Sequence, residues 1–173
     1  MFAILHTMAS TFSLDIVSDY NLAEVINAVD QAKRELITRY DFKGTAAALE
    51  FRDGDKTGLK ITGDSQYHIN ALLDIIRKKF AARGVSQKVL DTSGQPVVSN
   101  LKTTLDVPFK KGLDQEKAKK VTALLREHLP KLKAQIQGTE IRITSPKKDE
   151  LQTAMRLLEA QDFDFALSFT NFR

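Results

Sequence analysis

The feature that most constrains what this 173-residue chain can fold into is a pattern of apolar positions that runs through once and then starts again. Shifted by 82 residues, Leu59, Ile61, Ile69, Leu73 and Ile76 fall on Ile141, Ile143, Leu151, Met155 and Leu158. Near the start of each half, Leu14-Asp15-Ile16 falls on Leu105-Asp106-Val107 and Leu22 on Leu113, at an offset of 91. The repeated pieces are alike and only the loops between them differ in length. Self-similarity at a fixed spacing marks a unit that occurs twice.

The unit itself is legible from its periods. The alternating run TFSLDIV reads as a strand. Leu22, Val25, Ile26, Val29, Ala32 and Leu36 then form one apolar stripe at helical spacing. AALEF and GLKIT flank a Gly- and Asp-rich turn, which signals a hairpin. Ile69, Leu72, Leu73, Ile76 and Phe80 mark a second helix, and SQKVL returns as a short fourth strand. Asp91 to Pro96 is turn-rich and apolar-poor, the best linker in the chain. Beyond it Val97 to Val107 reads as one strand, followed by a helix, the pair KAQIQ and EIRIT, a helix, and the closing FALSFTNF.

Strand, helix, hairpin, helix, strand is the ferredoxin-like order, in which both helices cover one face of a four-stranded antiparallel sheet. The sequence therefore predicts an α+β fold of two tandem ferredoxin-like (β-α-β-β-α-β) domains, residues 12–92 and 93–173, behind a disordered tail at 1–11 with Met8 as an alternative start. A single α+β domain with one larger sheet is the competing architecture. Exchange of strands between the halves also stays open, since the first and last strands can pair in one sheet.

Composition narrows the function classes. No apolar run approaches the roughly 18 residues of a membrane span. The absence of cysteine removes disulfides, thiolate nucleophiles and Cys-based zinc sites, and agrees with a cytoplasmic home. His6, His68 and His128 are scattered, with no paired-ligand spacing, so neither a metal nor a cofactor is expected. No phosphate-cradling Walker loop and no GGDEF or EAL sequence occurs, and the chain reads as a non-enzyme. The net charge is +4, and all of the excess falls in residues 93–173, where an anionic ligand is expected first.

Four separated motifs carry a family resemblance: LDIVSDYNLAEVINAVDQAKREL followed by RYDFKG, then AQIQGTEIRIT with KKDELQ, and the terminal FTNFR. In these the chain resembles the YajQ family from about residue 12 to Arg173. The resemblance implies tandem domains similar to RNA-recognition folds, binding of nucleotides or RNA, and in some members a role as a cyclic di-GMP effector that signals to a partner such as a transcription regulator. Leu14 stands where the family usually has Phe, and Ser145-Pro146 replaces Gly-Lys, which removes a cation at a helix start.

Site residues follow from alternation. KAQIQ puts Gln135 and Gln137 on the face opposite Ala134 and Ile136, beside Arg142 of the adjoining strand. Two carboxamides and a guanidinium can hydrogen-bond base edges or phosphate in fixed geometry. GLKIT and EIRIT contain no aromatic residue, so base stacking in the manner of an RNA-recognition sheet is not expected. In RYDFKG, Arg39 and Lys43 can meet an anion and Phe42 can stack on a base; the competing reading is a helix-ending motif with Phe42 in the core. Phe169, Asn171 and Arg173 complete the set, the last two having no evident core role. A solvated polar sheet face is the plain alternative for all of these.

Overall fold

A computed structural model of the chain describes residues 11–173. Nearly all of the proposed tail therefore lies outside the described residues. The elements in order are β1 (Phe12–Val17), α1 (Leu22–Thr38), β2 (Ala48–Phe51), β3 (Gly58–Gly63), α2 (Gln66–Ala82), β4 (Val97–Ser99), β5 (Lys102–Pro108), α3 (Gln115–His128), β6 (Lys133–Gln137), β7 (Glu140–Ser145), α4 (Lys148–Ala160) and β8 (Ser168–Thr170). They form two four-stranded antiparallel sheets, ordered β2-β3-β5-β4 and β6-β7-β1-β8. Two ferredoxin-like α+β units result.

The boundary expected at residues 92/93 is corrected. One compact unit is Tyr20–Lys111; the other holds β1 together with Gly112–Arg173. β1 lies between β7 and β8, and β5 takes the equivalent place between β3 and β4. Each repeat thus supplies the central first strand of the other's sheet. Asp91 to Pro96, read as the interdomain linker, lies inside the unit Tyr20–Lys111.

Two further departures share that region. SQKVL is not a strand: the Ser86 hydroxyl accepts the Lys88 N–H at 3.2 Å and folds Gln87–Val89 into a 3₁₀ turn. Val97 to Val107 is not one strand but the β4–β5 hairpin, because Asn100 and Leu101 both take positive φ, 51° and 64°. That is the backbone of a tight primed turn, usually signalled by Asn-Gly.

Local chemistry accounts for the helices. The Asn21 side chain accepts the Glu24 N–H at the start of α1, and Asp114 accepts the Lys117 N–H at the start of α3. Ser145 precedes α4, accepting the Lys147 N–H while donating to Glu150 at 2.5 Å. After α2, Gly84 at φ 71° lets the Val85 N–H reach the Phe80 carbonyl and its own N–H reach that of Ala81, closing the helix end.

Burial follows the predicted faces. In the first unit Val25, Val29, Leu59, Ile61, Ile69, Leu72, Ile76, Phe80 and Val107 are fully enclosed. In the second, Leu14, Ile16, Val121, Leu125, Ile141, Ile143, Ala154 and Phe165 form the core. Strand residues between these core positions face away from the helices. They form the surface on which site chemistry is possible.

Candidate functional site

Strand register builds one polar row straight across the second unit's sheet. Gln135 on β6 is opposite Arg142 on β7, Arg142 is opposite Asp15 on β1, and Asp15 is opposite Thr170 on β8. All four residues are out of phase with the core positions Leu14, Ile16, Ile141 and Ile143 and so share the helix-free face.

Asp15 organises the row. It is only 4% exposed, yet no bond of its carboxylate is missing. Arg142 donates to it through Nε at 2.9 Å and Nη2 at 3.2 Å, and the Asn171 amide donates to Oδ2 at 2.9 Å. The two-pronged hydrogen bond from Arg142 holds the Asp15 carboxyl below the ordinary carboxylate range; burial opposes this and Asn171 adds to it. In return Asp15 raises Arg142 above the usual guanidinium value. Two of the five guanidinium donors are consumed, and the rest stay available on a half-exposed, fixed group.

Asn171 reaches Asp15 because of a bulge. Asp15 is opposite Thr170, but the next hydrogen-bonded pair joins Ser13 to Arg173, with both backbone bonds at 3.0 Å. Asn171 and Phe172 together therefore face the single residue Leu14. Asn171 takes φ 58°, the left-handed conformation that such a bulge requires. Arg173 is tied by its backbone and leaves its side chain exposed; its charge also favours the ionised Asp15.

Gln135 and Gln137 are exposed, and the Gln135 side-chain amide makes no hydrogen bond among the described residues. The structure thus brings together Gln135, Arg142, Asn171 and Arg173, with Gln137 at the strand end opposite Glu140. Phe169 is directed elsewhere: it pairs with Ile16 and packs on the core, because it is out of phase with Thr170.

Arg39, Phe42 and Lys43 belong to the other unit. Phe42 is 5% exposed and its ring meets His68 edge-on at 5.4 Å, so it is core and offers no face to a base. Arg39 grips Asp41 at 2.9 and 2.6 Å and lies over the Phe42 ring. Lys43 is exposed.

The first unit carries a row that the sequence reading did not single out. Glu50, Lys60 and Asp106 are opposite one another on β2, β3 and β5. Asp106 is the repeat counterpart of Asp15, and Lys60 of Arg142. Here no ion pair closes, and both charged groups line a cavity of about 560 Å³ with Arg52, Asp53, Gln95 and Thr104. The repeat offsets and the alternation of GLKIT together were the signal for this row.

The charge reading changes with the unit boundaries. The unit Tyr20–Lys111 holds fifteen Lys/Arg against eleven Asp/Glu, and the remainder of the chain holds eleven of each. The whole excess therefore sits on the first unit, because Lys102, Lys110 and Lys111 fold with it while Asp15 and Asp19 leave it. Of the histidines, His68 is buried with Nδ1 accepting the Asp64 N–H, and His128 contacts the Leu124 carbonyl. His6 lies outside the described residues. No helix among the described residues is long and apolar enough to cross a membrane.

Fold and face together define a class: a pair of ferredoxin-like units in which each sheet turns a row of hydrogen-bonding side chains away from its helices. Within that class the chain belongs to the YajQ family, whose model, described as nucleotide-binding protein YajQ-like, matches residues 12–173. A Thermobifida fusca protein is 44% identical over 167 residues, covering 96% of this chain and 100% of its own. One from Streptomyces coelicolor is 43% identical over 162 residues, covering 93% and 98%, and one from Trichodesmium erythraeum is 40% identical over 166 residues, covering 96% and 100%. All three bear the name nucleotide-binding protein.

Proposed function

We propose that this chain is a cytoplasmic nucleotide-binding effector without catalytic machinery, that its ligand is a small anionic nucleotide such as cyclic di-GMP, and that the bound state is passed to a partner such as a transcription regulator. The observation that carries this reading is the Arg142 guanidinium, fixed by Asp15 and Asn171 beside the unengaged Gln135 carboxamide. A preorganised donor loses little freedom on meeting a phosphate or a base edge, and the adjoining amide can both donate and accept. The names of the relatives support nucleotides as the ligand class.

Calorimetry with cyclic di-GMP, GMP, GTP and ATP tests the reading. Heat is expected with at least one of them, and Gln135→Ala or Arg142→Gln is expected to weaken binding about tenfold, as for loss of one or two hydrogen bonds. Absence of heat with every member at micromolar protein overturns it.

A second reading, RNA held through phosphate contacts, is favoured by the +4 excess of the unit Tyr20–Lys111. A gel shift with tRNA across a salt series separates the two. Binding through several phosphates weakens steeply with salt, whereas a small nucleotide gives a much shallower slope.

A further inference from the structure

The polar rows offer hydrogen bonds to base edges but no aromatic face: among the described residues, no helix-free position of the central strands β1, β3, β5 and β7 carries an aromatic side chain. A base that stacks on this protein must do so elsewhere. The RYDFKG turn supplies the place through residues other than the one the motif suggested. Tyr40–Phe42 is a 3₁₀ turn, in which successive side chains point about 120° apart. Drawing Phe42 into the core therefore turns Tyr40 outward, and Tyr40 is 88% exposed.

Its surroundings are apolar and cationic. Ile37, one turn back at the end of α1, is 78% exposed, and Tyr67, in the first turn of α2, is 63% exposed. With Tyr40 these are three of the nine exposed large hydrophobic residues among those described, and they are carried by the end of α1, the turn that follows it and the first turn of α2. Tyr67 is tied to the motif through His68, its ring 6.0 Å away, which in turn meets Phe42. Arg39 stands within electrostatic reach of Tyr67, and Lys43 is exposed beside the turn.

From this we infer that Tyr40 and Tyr67 form a stacking platform for the base of a phosphate-bearing ligand, with Lys43 as the phosphate contact, separate from the Gln135–Arg142 row. Every base has a π-face, so the platform is tolerant of sequence and serves a free nucleotide or a single strand alike. The proposal rests on the nucleotide-binding reading above.

The chain has three tyrosines and no tryptophan, and Tyr20 is packed edge-on against Phe109 at 5.5 Å. Tyrosine emission is therefore free of tryptophan overlap, and loss of the ligand-induced change in Tyr40→Ala and Tyr67→Ala assigns it to those two rings. Titration with GMP in one arm and a uridine decamer in the other is expected to quench that emission. Quenching by the mononucleotide identifies a free nucleotide as the ligand, and quenching by the decamer alone identifies a strand. Tyr40→Ala and Tyr67→Ala are each expected to weaken binding about tenfold, with the far-ultraviolet circular dichroism unchanged. Calorimetric heat without quenching, with both alanine variants binding as the parent does, overturns the platform and leaves the nucleotide-binding reading intact. Absence of heat in both arms and with the nucleotide panel overturns both.

Discussion

Asp15 and Asp106 occupy the same position in their repeats and have opposite circumstances. Asp15 is enclosed and receives three hydrogen bonds, whereas Asp106 is exposed and unpaired. Asp15→Asn is expected to destabilise the protein by about 2 kcal/mol at pH 7, since hydrogen bonds to a charged group are lost. Asp106→Asn, at an exposed site without partners, should stay within about 0.5 kcal/mol. Because the folded Asp15 carboxyl titrates below its unfolded value, its stabilisation is fully present above roughly pH 4 and is lost as pH falls through the folded value. Urea unfolding of the parent and Asp15→Asn at a series of pH values should show the difference between them shrinking below about pH 4. At this scale the sequence was partly legible. Alternation put Gln135 and Arg142 on one face, but the partner that fixes Arg142 lies 127 positions away. Asn171 needed a bulge that carries no glycine to announce it.

At the scale of elements, the amphipathic helices and the β2–β3 and β6–β7 hairpins followed from period and turn residues. The β4–β5 hairpin did not, because its turn places a leucine where glycine is customary. Leu101 combines φ 64° with 92% exposure, so it bears the left-handed backbone cost without any packing in return. Leu101→Gly is expected to raise stability by about 0.5–1 kcal/mol, read from the urea midpoint at unchanged slope. If Leu101 instead contacts a partner, the same substitution will weaken that association while the isolated chain gains stability.

For the whole molecule, the first strands of the two repeats explain why the division at residue 92 was misplaced. Leu14-Asp15-Ile16 and Leu105-Asp106-Val107 present the same local pattern, so the sequence around each strand does not announce which sheet it completes. The observed division makes fragment behaviour diagnostic. Residues 20–111 contain all of β2-β3-β5-β4 in one continuous stretch and should fold alone, with cooperative thermal unfolding. Residues 12–92 lack both β4 and β5, leaving β3 without its central neighbour, and should remain unfolded by circular dichroism.

The exchange also sets an order of events during synthesis. The sheet of the unit Tyr20–Lys111 can close once Pro108 has emerged from the ribosome, but β1, made before every other strand of its own sheet, finds β7 only after Ser145 and β8 only after Thr170. At about 5–20 residues per second, β1 waits roughly 10 to 30 s with its apolar side chains uncovered. The nascent β1 is therefore where a chaperone has the longest opportunity to act.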